Sequence, residues 1–149
     1  MAEPAQTSAW IAPERGERIA AKLLIAGNPG TGTGFALTAP ISFWGGVDPK
    51  TSRIVDVRHP QHGKPIANTV LMLPETIGSS SASAVLLELI HAGIAPAAII
   101  LHQPDAILLL GVLVAREMGW AIPLAVQLDK TAFAKLDGVA LKTGFSVQG

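Results

Sequence analysis

The residues of this chain best equipped for chemistry are the serines of "LPETIGSSSASAVLLELI", where Ser79, Ser80, Ser81 and Ser83 crowd into five positions directly after Gly78. A single serine is enough to cap a helix, because its hydroxyl accepts a hydrogen bond from a first-turn N–H that has no intrahelical partner. Four exceed that need. Either the segment is a multiply capped helix start, or it is an anion site in which backbone N–H groups, the positive end of the helix dipole and hydroxyls receive a carboxylate or oxyanion. The Gly78–Ser79 step is where a ligand comes nearest the backbone.

Three other motifs compete for a functional reading. "GNPGTGTGFAL" holds Gly27, Gly30, Gly32 and Gly34, but its flank "FALTAP" is extended and it has no Lys-Ser/Thr pair, so a hairpin or bulge is expected instead of a phosphate loop. His59 and His62 in "RHPQHG" have a spacing that a metal could use, yet no third ligand is nearby and Pro60 stiffens the turn. A polar turn with locally bonded imidazoles is the simpler expectation, and His91 and His102 read as structural. In "ISFWGGVD" a tight turn with aromatic packing is expected around Phe43 and Trp44.

The elements that must position the serine loop follow from periodicity. The first half has short strand-like runs at Ile19–Ala26, Phe35–Thr38, Arg53–Val57 and Thr69–Leu73, separated by turn chemistry. A helix then opens near Ser80 with Val85, Leu86, Leu89 and Ile90 on one face and Gly93 as its C-terminal cap. "AAIILH" reads as a buried strand, "PDAILLLGVLVAREMG" as a helix with Asp105 in its first turn, and "PLAVQL" as another strand. This strand-helix-strand-helix-strand succession favours parallel pairing. The expected fold is α/β: a β-rich N-terminal half layered on a βαβαβ C-terminal half, in one domain over residues 1–149.

Composition excludes whole classes of function. Eleven basic residues balance eleven acidic ones without clustering, so there is no electrostatic footprint for nucleic acid or anionic lipid. There is no cysteine, hence no disulfide, thiol catalysis or cysteine-held metal cluster from this chain. The longest apolar run, Ala106 to Ala115, is about half of what a membrane-spanning helix needs, and the N-terminus lacks a secretory leader, so a cytoplasmic location is expected. Hydrophobic residues at 49% against 15% charged point to some apolar surface covered by a partner.

Taken together, "ISFWGGVDPKTSRIVDVRHPQHG", "VLMLPETIGSSSASAVLLELI", "GIAPAAIILHQPDAILLLGVLVA" and "IPLAVQL" resemble, in order and spacing, the swivel domain of the aconitase X family, over about residues 19–128. The resemblance implies a swivelling β/β/α three-layer fold and hydro-lyase (dehydratase) chemistry. It also implies a cysteine-containing large subunit that holds an iron-sulfur cluster, with no cofactor or metal bound by this chain alone, which looks like the small subunit. By the same resemblance Ser79 is the catalytic proton acceptor, while the N–H groups and hydroxyls at Gly78, Ser80 and Ser81 suit the binding of a small carboxylate substrate. The family dehydrates cis-3-hydroxy-L-proline or mevalonate 5-phosphate. Many archaeal members carry an arginine immediately before the Gly-Ser step, where this chain has Ile77. No Lys or Arg occurs between Lys64 and Arg116, so the loop has no sequence-local phosphate clamp, and cis-3-hydroxy-L-proline is the expected substrate. The alternatives are a mevalonate 5-phosphate dehydratase small subunit, a non-catalytic interaction module of the same fold and, more remotely, a phosphohistidine carrier.

Overall fold

Three short segments, VLML, AIIL and LAVQ, are apolar at nearly every position, the pattern of parallel strands covered on both faces. The computed structural model, which describes residues 6–78 and 80–148, shows this arrangement. Strands β4 (Val70–Leu73), β5 (Ala98–Leu101) and β6 (Leu124–Gln127) pair in parallel, Leu71 opposite Ile99 and Ile99 opposite Ala125. Successive side chains in a strand point to opposite faces. Accordingly Val70, Met72, Ala98, Ile100, Leu124 and Val126 enter one core, and Leu71, Leu73, Ile99, Leu101 and Ala125 enter another.

The second of these cores lies under helices α2 (Ser80–Ala92) and α3 (Ala106–Glu117). Each helix ends before a glycine in the left-handed region, Gly93 at φ 75° after α2 and Gly119 at φ 80° after α3. The first core is closed from the other side by β1 (Gln6–Pro13), β2 (Ile19–Ile25), β3 (Thr31–Ala36) and β7 (Ala140–Gln148). The strands form a closed barrel in the order β1-β2-β6-β5-β4-β3-β7. The layers are therefore antiparallel strands, parallel strands and helices, as expected for a β/β/α fold.

Three details depart from expectation. No hairpin joins β2 to β3, which are not neighbours in the sheet. The glycines between them instead allow close backbone approach: a Cβ on Gly30, for example, would lie 2.6 Å from the carbonyl oxygen of Ala97. Arg53–Val57 forms no strand, only single bridges from Ile54 to Val47 and from Arg53 to Pro65, because Asp56 folds the chain into a turn by accepting the Arg58 N–H at 2.9 Å. The third strand lies at Thr31–Ala36, not at Phe35–Thr38, since β7 pairs along its glycine-rich start.

Candidate active site

Strand β4 delivers the chain to the C-terminal end of the parallel strands, the edge at which open α/β sheets place their ligands. Gly78 lies there, exposed, with nothing within 4 Å of the position a Cβ would occupy. Ser80 is exposed and opens α2, and Ser81 follows it in the first turn. Ser79, between Gly78 and Ser80, lies outside the described residues. Ser83 turns back on its own helix, its hydroxyl donating to the Ser80 carbonyl at 2.8 Å, so this fourth serine belongs to the helix and not to the loop.

The loop is held from both sides. Asp105, which caps α3, accepts the N–H groups of Ile107 and Leu108 through Oδ1, both at 3.0 Å. Its Oδ2 accepts the Thr76 hydroxyl at 2.5 Å. Across the loop, the Ile77 N–H donates to the Ile41 carbonyl at 2.9 Å, and Ile41 pairs with Thr76 in a parallel bridge. The start of α3 is thus satisfied by a carboxylate of its own. By contrast, α2 has no acidic residue in its own first turn.

Between the loop and α3 opens a cleft of about 480 Å³, whose walls include Glu75, Thr76, Gly78, Gln103, Asp105 and Ile107 and, among the described residues, no Lys or Arg. A second cleft of about 470 Å³ lies at the β2–β6 side, around Lys22, His102, Gln127 and Asp129. Here the Lys130 N–H donates to His102 Nδ1 at 2.9 Å. The backbone N–H and then the hydroxyl of Thr131 hold the Asp129 carboxyl below its ordinary value. Charge does not separate the two clefts, since Lys22 faces Asp129 in the second and Glu75 and Asp105 line the first; the cleft at Gly78 is the one that joins a helix start to an open backbone.

The remaining candidates are spent on structure. His59 is buried, its Nε2 bonded to the Ala39 carbonyl at 3.1 Å and its Nδ1 accepting the Gln61 N–H at 3.0 Å, which leaves neither nitrogen for a metal. Asp48 and Asp56 each accept a backbone N–H two residues on, forming Asx turns. His91 stacks on Trp120 with ring centroids 4.4 Å apart. Among the described residues no group of three or more His, Cys, Asp or Glu could hold a metal ion. No described helix is long and apolar enough to cross a membrane. Phe43–Gly46, element α1, is a tight turn as expected: Trp44 (φ −73°, ψ 114°) and Gly45 (φ 79°, ψ −15°) have type II turn angles, which favour glycine at the second position. Sequence reasoning placed Asp105 only in a helix start; its grip on Thr76 joins segments 29 residues apart and has no local signature.

Comparison with known proteins is consistent with this geometry. Over 99 residues the chain is 48% identical to a protein of Pseudomonas aeruginosa named cis-3-hydroxy-L-proline dehydratase, covering 64% of this chain but only 17% of that protein. Over 92 residues it is 39% identical to the phosphomevalonate dehydratase small subunit of Methanothermobacter thermautotrophicus, covering 62% of this chain and 70% of the relative. Its fold matches the crystal structure of Thermococcus kodakaraensis aconitase X in its holo-form with a TM-score of 0.70 and 27% identity, over 86% of this chain and 95% of that one. The sequence profile of the aconitase X swivel domain matches residues 18–147. The chain belongs to the aconitase X swivel-domain family.

Proposed function

We propose that this chain, acting as one swivel domain over residues 1–149, is the small subunit of a dehydratase that acts on cis-3-hydroxy-L-proline, with Ser79 as proton acceptor and Gly78, Ser80 and Ser81 binding the substrate carboxylate. The observation that carries the substrate choice is the cleft beside Gly78, whose described walls contain no Lys or Arg. A phosphate, with close to two negative charges, is usually held by such cations; a single carboxylate is satisfied by N–H groups and hydroxyls at a helix start. The Pseudomonas relative named for this reaction supports the same choice. The amino acid is a zwitterion, and Glu75 in the cleft wall offers a carboxylate to its ammonium group.

In this reaction the proton on the carbon bearing the carboxylate leaves as the adjacent hydroxyl departs, giving a cyclic enamine acid that tautomerises to pyrroline-2-carboxylate. A serine hydroxyl is too weak an acid to form the accepting alkoxide unaided. A helix N-terminus and neighbouring donors stabilise that alkoxide. The chain has no cysteine, and its described residues offer no metal-ligand group, so they do not fit an iron-sulfur cluster. The cluster belongs to a cysteine-bearing large subunit, in the cytoplasm, and the part played by this chain is binding and proton transfer. Assay of the reconstituted two-chain enzyme with both compounds tests the reading. Turnover of cis-3-hydroxy-L-proline is expected; dehydration of mevalonate 5-phosphate alone would overturn the substrate choice.

A further inference from the structure

The face of strand β3 that points away from the barrel core carries a cleft that the Gly78 site does not use. Side chains two apart on a strand share a face, so Thr33 and Phe35 point outward together while Gly34 and Ala36 are buried. Around them opens a cleft of about 390 Å³, lined also by Gln61, Lys64, Thr69 and Asp137. Among the described residues it shares none with the cleft at Gly78. Its size lies in the range of small-molecule sites, and Phe35, half-buried against the core under the helices, gives it an aromatic wall.

Both flanks are fixed by hydrogen bonds. On one, the Gln61 side chain accepts the Thr38 N–H at 3.2 Å and donates to the Thr38 hydroxyl at 2.9 Å, and the Lys64 carbonyl accepts the Ile54 N–H at 3.0 Å. On the other, a short helix, α4 (Phe133–Leu136), ends in a turn where Asp137 Oδ1 accepts the Ala36 N–H at 2.9 Å and the Gly138 N–H donates to the Gly34 carbonyl at 2.8 Å. That turn lies so close to β3 that a Cβ on Gly34 would overlap the Leu136 carbonyl oxygen. The backbone is committed, yet three side-chain groups are left over. Among the described residues, the Lys64 ammonium, the second Asp137 oxygen and the Thr33 hydroxyl have no hydrogen-bond or ion-pair partner. The cleft around Lys22 and Asp129 differs in this respect. There Asp129 is engaged by the N–H and hydroxyl of Thr131, His102 Nδ1 by the Lys130 N–H, and the Gln127 amide by the His102 carbonyl.

A lysine and an aspartate that line one cleft without pairing offer a cation and an anion to a ligand carrying both charges. We infer that the cleft between Lys64 and Asp137 is a binding site for a small zwitterion, an α-amino acid with a short apolar side chain. Its carboxylate meets the Lys64 ammonium, its ammonium group meets the free oxygen of Asp137, and its apolar body lies against Phe35. Each exposed charge pair contributes little by itself. Two of them together give weak, salt-sensitive binding that favours a ligand with both charges over one with either alone. The assignment does not depend on the dehydratase reading, since no residue of the Gly78 loop takes part.

The test is NMR titration of the isotope-labelled full chain with L-valine, and with two probes that keep its apolar shape but carry one charge each, isovalerate and isobutylamine. L-Valine is expected to shift the amide signals of Thr33, Phe35, Lys64 and Gly138, and to bind about threefold or more tightly than either single-charge probe. Lys64→Gln removes the cation. Asp137→Asn removes the anion while keeping an acceptor for the Ala36 N–H. Each is expected to weaken L-valine binding about threefold or more. Lys142 is an exposed lysine outside the cleft, and Lys142→Gln is expected to bind like wild type. Shifts confined to Gly78 and the first turn of α2, or no shift at the cleft amides with L-valine in large excess, would overturn the assignment. Equal binding of either single-charge probe, or wild-type affinity in both cleft variants, would overturn it as well.

Discussion

Asp105 accepts three hydrogen bonds, and each serves the site indirectly: two cap α3 and one fixes Thr76 two residues before Gly78. Asp105→Ala removes all three and is expected to cost about 2 kcal/mol in thermal or urea unfolding, the sum of a lost cap and a lost charged hydrogen bond. Asp105→Asn keeps an acceptor for the helix N–H groups, and its amide can donate to the Thr76 hydroxyl, so most of that stability and the activity are expected to return. Equal loss in both variants would show that charge, not positioning, matters there. Glu75 makes a different kind of prediction. It is exposed, and Glu75→Gln is expected to raise KM for cis-3-hydroxy-L-proline severalfold with kcat little changed, the signature of lost binding made equally in the ground and transition states. An unchanged KM would remove the ammonium contact from the account.

Helices α2 and α3 approach closely at Gly111, where an added Cβ would overlap the carbonyl oxygen of Ser83. Alanine in place of glycine gains about 1 kcal/mol of helix propensity, but overpacking costs about 1–3 kcal/mol. Because the obstructing atom is backbone, the packing cost dominates, and Gly111→Ala is expected to lower stability by about 1 kcal/mol or more, read from the urea midpoint; a stabilised variant would show that the helices can part freely. The elements flanking this contact were plain in the sequence, because α2, α3, β4, β5 and β6 each carry an apolar pattern bounded by Gly, Pro or Asp. The tightness at Gly111 was not, since it depends on which helix faces it. Arg53–Val57 misled for a related reason: its alternation is real, Ile54 buried and Val55 and Val57 exposed, but a turn at Asp56 breaks the run before it can pair. The serine loop was legible because it needs only local chemistry, a glycine and then a helix start.

At the scale of the molecule, the barrel closes through β1 and β7, which pair from Gln6 opposite Gln148 to Pro13 opposite Leu141. Sequence reading confined the core to residues 19–128 and missed both strands, although Leu141, Thr143 and Phe145 alternate along β7 as a strand should. The partners of these β7 residues are more than a hundred residues away, beyond the reach of local pattern, whereas β1 also pairs with the nearby β2, Ile11 opposite Ile19. A closed barrel with its helices on one side leaves the edge around Gly78 facing outward, and the chain purified alone is expected to fold, show no iron absorbance and dehydrate nothing. Co-expression with the large chain is expected to give one coloured, active complex. The account rests most heavily on Ser79, and the most direct measurement is turnover of cis-3-hydroxy-L-proline by the assembled Ser79→Ala enzyme beside its unfolding curve. With Ser80 and Ser81 still present for capping, stability is expected to change by no more than about 1 kcal/mol while turnover falls below detection. Activity above a few per cent of wild type in an intact complex would contradict the assignment and place the proton acceptor elsewhere.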